Sequence, residues 1–476
     1  MNFMYIDLGL LVIFCILVAI FLNKKRKKLK KEGIFLLYKT KIGLKFIDNF
    51  ARRFAKPLNF IAYISITFGY LAMIIMVILL IYNVIVLAQM PEVISAPPIM
   101  PVIPYAPQIF KIPGLPDFYF IHWIVILIVL AITHEFAHGI FARLKGIRIK
   151  STGFGFLGPV ILAFVEQDEK QMNKKKKKDQ LAMLSAGPFS NFVFCIVFGL
   201  LFLLFLNLSI IPTTPLYAGT TINSSQIDSL VINHDIFNYS DFSSLNKNEF
   251  KNLPDKILVN ADNITYVLTQ SSFLGQLDKI QNHTETPIVV YYNSPLINLG
   301  IKGELLKING IEVKHPQIFD ELQKIEPYQQ IKIETSKGNY LLVADKNPNN
   351  ASKGFIGLNY RMTSNTFADK FQRTLTPLNR NPFMSYGPAY NNDLYTFFST
   401  FFFWMVMLLF AVATFNMLPF AFLDGGKFFY LTALAITKKK KSAELIYRIA
   451  SIFIILIFIA MMLVWAYRMW LYKLFV

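Results

Sequence analysis

The 476-residue chain is short of several residue types at once. It holds two cysteines, Cys15 and Cys195, and both fall inside apolar runs. No disulfide framework can therefore staple an exterior region, a thiolate metal site is excluded, and both thiols read as small buried hydrophobes. Charge is scarce too: Asp, Glu, Lys and Arg make up 16% of the chain, and acids are the minority, 29 against 48 basic residues, for a net charge of +19. With 54% hydrophobic residues, 46 of them Phe, the chain carries more apolar surface than a soluble domain can hide.

Long apolar runs account for that excess. A helix needs about 20 apolar residues to cross about 30 Å of hydrocarbon, and runs of that order lie at 3–22, 60–86, 118–142, 181–211, 394–418 and 446–471. The expected fold class is a polytopic α-helical membrane protein of about six transmembrane helices with a β-rich insertion outside the membrane. The first run carries Asp7 ahead of its main apolar stretch, has no basic segment before it and no small-residue cleavage site after it, so it reads as an anchor and not as a signal peptide. The lysine clusters at 24–31, 174–178 and 438–441 border apolar runs. Placing all three in the cytoplasm lets six spans alternate without conflict, with both chain ends outside. Low-complexity lysine beside a membrane suits the anionic headgroups of the lipid bilayer. Nucleic acid is not an expected partner, because its binding calls for basic residues interleaved with stacking aromatics on a folded surface.

Inside the third run stands His134-Glu135-Phe136-Ala137-His138. Residues four apart share a helix face, so His134 and His138 can offer two imidazoles to one metal ion while Glu135 lies beside it. Zinc suits such ligands and keeps a position for water, whose proton Glu135 would take. HExxH also arises by chance on helices. Ionisable groups in a membrane are costly, about 2.5–3.5 kcal/mol at the centre on insertion scales, so there the functional reading outweighs the accidental one. His134 precedes Arg143 by nine positions, which puts the metal roughly 13 Å inside the cytoplasmic boundary at about 1.5 Å per residue. Water would have to reach it through a polar channel. His122 lies too far along the helix to be a ligand, and His234, His283 and His315 have no ligand spacing.

Two further polar constellations sit in apolar surroundings. In Asn416-Met417-Leu418-Pro419-Phe420-Ala421-Phe422-Leu423-Asp424-Gly425-Gly426, Pro419 breaks a helix and the glycines permit a sharp turn, so Asp424 can swing out as the third metal ligand. The plainer reading of that segment is an ordinary helix end near Lys427. Ser185-Ala186-Gly187-Pro188-Phe189-Ser190-Asn191 reads as structural, small residues letting helices approach and Asn191 bonding across them. The stretch 153–166 is apolar, β-prone and punctuated by Gly and Pro. It is too broken to span as a helix, and open strands are tolerated at that depth only where they line a cavity.

Between the fourth and fifth runs, 212–393 is polar, Asn-rich and alternates with period two, as an extracytoplasmic soluble insertion would. Sequons beginning at Asn223, Asn238, Asn263 and Asn282 suit that side. Residues 294–313 resemble PDZ domains of the protease-associated type, with a short helix, a strand and an Asn309-Gly310 hairpin turn. A helix in 315–324, a hairpin from 330–335 and 339–343, and a closing strand at 354–358 would complete a domain over about 284–362. Such a module takes a peptide or a substrate ectodomain by strand addition, or acts as a steric filter; no carboxylate-binding loop is evident upstream.

Taken together, His134-Glu135-Phe136-Ala137-His138, Ser185 to Pro188 with Asn191, and Asn416 with Pro419, Asp424 and Gly425 resemble the site-2 proteases, a family of intramembrane zinc metalloproteases. The resemblance implies one zinc per chain held by His134, His138 and Asp424, a catalytic Glu135 that activates water, and an Asn416 that helps hold the substrate or the reacting group. It implies that 153–166 is a re-entrant β-hairpin, that a PDZ insertion is a family feature, and that the partners are transmembrane-helix protein substrates. The expected divisions are 1–116, two helices with a cytoplasmic Lys-rich loop; 117–211, the first part of the catalytic core; 212–393, the insertion; and 394–476, the second part of the core with the last span. The cell membrane is the expected location, with the active site toward the cytoplasm. The competing classes are an ion or proton pathway using the same polar residues, and an inactive scaffold. A CAAX-type prenyl endoprotease fits the Asn416 to Gly425 motif poorly.

Overall fold

The computed structural model describes residues 3–89, 102–110, 112, 115–244, 253–282, 285–301, 303–315, 317–348, 350–359, 383–389 and 392–475. The chain divides into two compact units, Met1–Leu204 with Thr396–Val476, and Phe205–Tyr395. His283 and the end of the expected PDZ-like segment past Asn359 lie outside the described residues.

The first unit begins with α1 (Phe3–Lys24), α2 (Leu44–Arg53), α3 (Ala55–Gln89), α4 (Ala106–Phe110) and α5 (Phe120–Leu144), then α6 (Glu169–Asn173) and α7 (Lys177–Ser209). Of these, α1, α3, α5 and α7 are long and apolar enough to cross a membrane. Large apolar side chains on them stand open, Leu17 at 59% and Leu200 at 62%, as lipid-facing residues do. The helix α5 has no cap of its own, because the side chain of Tyr119 at its N-cap makes no capping bond to it. Asp7 of α1 supplies one. Its carboxylate is fully buried and accepts from the backbone N–H groups of Phe120 (2.7 Å) and Ile121 (3.0 Å) and from the hydroxyl of Tyr105 (2.5 Å). Two donors that every helix start leaves orphaned are thereby satisfied, and the negative charge meets the positive end of the helix dipole.

Residues 24–40 are not a plain loop. They form β1 (Leu29–Glu32) and β2 (Phe35–Thr40), which pair with β3 (Ile149–Leu157) and β4 (Val160–Gln167) in a sheet of order β1-β2-β3-β4. Lys-Lys-Glu in β1 conceals the strand signal; β1 pairs with β2 in a local hairpin, Leu29 opposite Tyr38, and β2 in turn meets β3 from more than 110 positions away, Leu36 opposite Phe156 and Tyr38 opposite Phe154. Glu166 of β4 ties three strands together by accepting from Lys39 Nζ on β2 (2.6 Å) and from the Ser151 hydroxyl on β3 (2.5 Å), and these two donors hold its carboxyl below the usual range. The strand β4 packs against α5, where Ile47 of α2, Ile149 and Val165 form a small cluster.

The second unit contains two main sheets. Strands β5 (Ile210–Pro215), β6 (Gly219–Asn223), β7 (Ile227–Ile232), β8 (Asp235–Asn238), β9 (Lys256–Ala261) and β10 (Ile264–Thr269) precede α8 (Gln270–Asn282) and β11 (Pro287–Tyr292). Their antiparallel sheet, β6-β11-β10-β9-β7-β8, buries Val259, Leu268 and Val290 against Phe273, Leu277 and Ile280 of α8. This sheet has no counterpart in the expectations drawn from sequence. Next come α9 (Pro295–Leu299), β12 (Leu305–Ile308), β13 (Ile311–Glu312), α10 (Ile318–Gln323), β14 (Gln330–Thr335) and β15 (Gly338–Val343) in a sheet of order β13-β12-β14-β15. Asn309 (φ +49°) and Gly310 (φ +81°) make the tight turn read from their sequence. The strand expected at 354–358 differs: β17 (Asn350–Phe355) pairs with β16 (Asp345–Asn347) and not with that sheet, while Ile356 enters its core. The strand β18 (Met384–Pro388) returns to pair with β5.

Back in the first unit, α11 (Asn392–Phe415), α12 (Asp424–Thr437) and α13 (Lys440–Phe475) complete the chain, and α11 and α13 bring the helices able to span a membrane to six among the described residues. The protein is a polytopic helical membrane protein. Around its centre α3, α5, α7 and α12 pack through Ala62, Met73, Ala142, Met183, Met417 and Phe428. Replacing Asp7 by Ala strips α5 of its cap and should lower stability in detergent by about 2–3 kcal/mol, the scale of hydrogen bonds to a charged group; thermal unfolding of the purified variant measures this, and an unchanged Tm refutes the role.

Candidate metal centre

One turn apart on α5, the side chains of His134 and His138 share a face, and both residues are nearly buried, at 8% and 7% exposure. Across from them α12 begins with Asp424. Its Oδ2 lies 3.2 Å from His134 Nε2 and 3.3 Å from His138 Nε2, and the two Nε2 atoms lie 3.1 Å apart. Among the described residues this is the one group of three His, Cys, Asp or Glu side chains whose ligand atoms all fall within 4.8 Å of one another. Sequence reading had named all three.

How the chain delivers Asp424 differs in detail from the sequence reading. The helix α11 stops at Phe415, and Met417 and Leu418 turn back to donate to the carbonyls of Thr414 and Phe415. Asp424 does not leave a helix. It opens one, at the positive end of the α12 dipole, which favours a carboxylate there. The glycines after it have ordinary helical backbone; their service is steric. A Cβ on Gly425 would lie 2.2 Å from the Met417 carbonyl, and one on Gly426 2.2 Å from the Phe420 carbonyl, so only hydrogen lets the incoming turn cross the first turn of α12. Gly425 N–H donates to the Asn416 carbonyl (2.7 Å), and the Ser451 hydroxyl of α13 donates to the carbonyl of Pro419 (3.2 Å), which pins the turn.

The imidazoles are oriented from α7. His138 Nδ1 lies 2.7 Å from the Met183 carbonyl, an acceptor only, so the ring proton sits on Nδ1 and the Nε2 lone pair faces the cluster. Asn191, read from sequence as a structural residue, places its amide 3.2 Å from His134 Nδ1. A half-turn of that amide sets its oxygen against the ring and lets Nδ1–H donate. Thr133 Oγ1, 2.9 Å from the other end of the amide, can then accept, because its own proton goes to the Val129 or Leu130 carbonyl. Gly187 is the floor of the site: a Cβ there would lie 2.4 Å from His138 Nε2 and 2.8 Å from His134 Nε2. A single small-residue motif thus supplies a contact to the rings, and only the pairing of α7 with α5 reveals it.

Three electron-pair donors converging at 3.1–3.3 Å, two of them bare ring nitrogens, repel unless a cation lies between them. The edges match those of a tetrahedron with bonds of about 2.0–2.1 Å, whose edge is about 3.3 Å, and two imidazoles with a carboxylate are a zinc donor set. Glu135 lines the same cavity of about 660 Å³, which runs past Val165, Glu166 and Met183 to Glu32, Lys150, Glu169, Lys170 and Lys427. Its Oε2 accepts from Val165 N–H of β4 at 3.0 Å. Asn416 is half-buried and is not among the residues lining this cavity; its backbone, and not its side chain, is what the structure ties to α12. His122 is buried against Phe397 and Tyr119 at the other end of α5, and His234 and His315 lie in the second unit, so none of them joins the cluster.

Residues 122–460, which include every member of the cluster, match the family model of Peptidase family M50. An uncharacterized protein of Methanocaldococcus jannaschii is 43% identical over 77 residues, 15% of this chain and 21% of that protein, so the chain matches about a fifth of the relative's length. Gly187→Ala should lower zinc affinity about 10–100-fold, the range for disturbed metal surroundings. Gly199→Ala, whose Cβ meets nothing within 4 Å, should not. Elemental analysis of both variants after dialysis against graded chelator decides, and equal metal content would remove Gly187 from the site.

Proposed function

The chain belongs to peptidase family M50, the site-2 protease family, and is a multi-pass membrane metalloprotease in the general sense of that family; from this premise we propose that it is an intramembrane zinc endopeptidase acting on transmembrane-helix protein substrates, within or near their membrane segments. The observation that carries the proposal is the convergence of His134, His138 and Asp424 at the buried end of a cavity whose other end is lined by charged residues. His134, His138 and Asp424 would hold one zinc ion. When bound, zinc supplies Lewis acidity, polarising a carbonyl and lowering the pKa of water toward neutrality. Glu135 is the proton carrier: it takes a proton from the attacking water and passes it to the leaving amine.

A substrate helix hides its peptide bonds, since each carbonyl is hydrogen-bonded and wrapped in side chains, so it must unwind before cleavage. We assign the partner for the unwound segment to β4. The strand β3 is paired on both sides, by β2 and β4, whereas β4 ends the sheet. Val165 turns its N–H away from β3 toward Glu135, and by the two-residue period of a strand Ala163 and Ile161 turn theirs the same way. A substrate strand added there satisfies backbone groups that lipid cannot. Asn416 is proposed to hold the substrate from the Asp424 side. Lys150, Lys170 and Lys427 at the cavity's charged end support a cytoplasmic opening in the cell membrane and an extracytoplasmic insertion. Within that insertion the order of short helix, strand, Asn-Gly turn, helix and hairpin supports a PDZ-like module, and a groove of about 210 Å³ between α10 and 354–358 is the proposed seat of a peptide or substrate ectodomain.

Glu135→Gln removes the proton carrier and leaves the three ligands, so cleavage of a membrane substrate should fall about 10²–10⁴-fold with zinc retained; full activity would refute the assignment. Ala163→Pro deletes an outward N–H at a position where an edge strand tolerates proline. Cleavage should drop at least about tenfold with unchanged zinc, and normal turnover of this variant would end the strand-addition reading.

A further inference from the structure

A second cavity of about 660 Å³ shares no lining residue with the one at the metal cluster. It lies where three elements leave the apolar part of the first unit: the last turn of α2, the first residue of α3, and the end of α5 with the segment leading into β3. Arg52, Arg143 and Arg148 line it, with Asp48 as its one carboxylate and Gln171 beside them. Asp48 is taken: it pairs with Arg143 through both of its oxygens. Arg52 and Arg148 are exposed, and among the described residues no carboxylate pairs with either. The cavity therefore presents two uncompensated guanidiniums, planar donors that fit a phosphate oxygen pair.

The elements around the cavity say which phosphate. The helix α2 buries Ile47 and Ala51 against α5 and β3, yet leaves Phe46 at 55% and, just past its end, Phe54 at 39% exposure, with Ile42 at 70% before it. Large apolar groups on a short helix whose last turn carries Arg52 and Arg53 are the pattern of a helix lying in the headgroup layer. A free phosphate ion would find the guanidiniums but leave that apolar surface in water. We infer that Arg52 and Arg148, with the Arg143–Asp48 pair as the wall between them and α5, form a binding site for the phosphodiester headgroup of an anionic phospholipid, whose acyl chains cover the exposed apolar residues of α2. The lysine run at 174–178 approaches the cavity, Lys175 Nζ lying 3.6 Å from where a Cβ on Gly146 would stand, whereas Lys27 and Lys28 are exposed and are not among its lining residues.

The test uses the full chain in detergent micelles, with native mass spectrometry counting bound lipid as phosphatidylglycerol or phosphatidylcholine is titrated in. The wild-type chain should retain one phosphatidylglycerol with at least about tenfold preference over phosphatidylcholine. Arg52→Ala/Arg148→Ala should erase that preference, whereas Lys27→Ala/Lys28→Ala, which removes equal charge from an exposed run, should keep it. Tm and zinc content of both double variants, unchanged from wild type, establish that the comparison is between folded proteins. Equal retention of the two lipids by wild type, or undiminished preference in Arg52→Ala/Arg148→Ala, overturns the site. Complete displacement of phosphatidylglycerol by millimolar inorganic phosphate overturns the lipid assignment in favour of a phosphate-ion site. None of these readouts depends on proteolysis, so the inference fails or stands apart from the proposed activity.

Discussion

Two imidazole lone pairs and a carboxylate oxygen held within 3.1–3.3 Å of one another form an arrangement that water would ordinarily dissolve and lipid would ordinarily forbid. It persists because each group is fixed from behind. The Met183 carbonyl sets the His138 ring, the Asn191 amide meets the His134 ring, and the start of α12 presents Asp424 with the helix dipole behind it. Gly187 contributes by having no side chain at all. Clustered acceptors of this kind suit a cation, and the residues that hold them lie on α5, α7 and α12.

The same refusal of lipid to hydrogen-bond shapes the rest of the first unit. The strands of the glycine-bearing stretch 153–166 are paired with each other, and β2, which precedes α3 in the chain, pairs with β3. At Gly153 a Cβ would lie 2.2 Å from the Tyr38 carbonyl, so the glycine that weakens this segment as a helix is what lets β2 close on it. Pro419 lies in the turn between α11 and α12, and the hydroxyl of Ser451 on α13 donates to its carbonyl. The start of α5 lacks a local cap, and Asp7 reaches it from α1. In each case a backbone group that sequence leaves unpaired finds its partner on a helix or strand far away along the chain.

This pattern also explains what could be read in advance. Apolar length is a local property, so the six spans were legible, and so were the HExxH face and the Pro-interrupted approach to Asp424. Partners distant in sequence were not. The place of β2 in the larger sheet could not be read, because its partner β3 lies more than 110 positions away. Asn191 looked structural because its contact with His134 exists only once α7 lies against α5. Asp7 argued merely against a signal peptide until α5 was placed above its carboxylate. In the insertion, Asn309-Gly310 was legible as a turn from two residues, while the six-stranded sheet depends on an order of strands that alternation alone cannot fix.

The bond between Glu135 and Val165 N–H joins the proton carrier to the strand edge in a way that bears on the order of events in the proposed reaction. Without a substrate strand, the outward N–H of Val165 has Glu135 as its acceptor, and the carboxylate is held toward β4. A strand adding along β4 offers a carbonyl at that register, and a backbone N–H has one proton to give. Pairing with substrate therefore competes with the tether on Glu135. In the proposed reaction the carboxylate would then turn toward water at the cluster only after the scissile segment is in place. A sheet edge used this way serves as both receptor and latch, and it requires no moving domain, only the exchange of one hydrogen bond for another of similar strength.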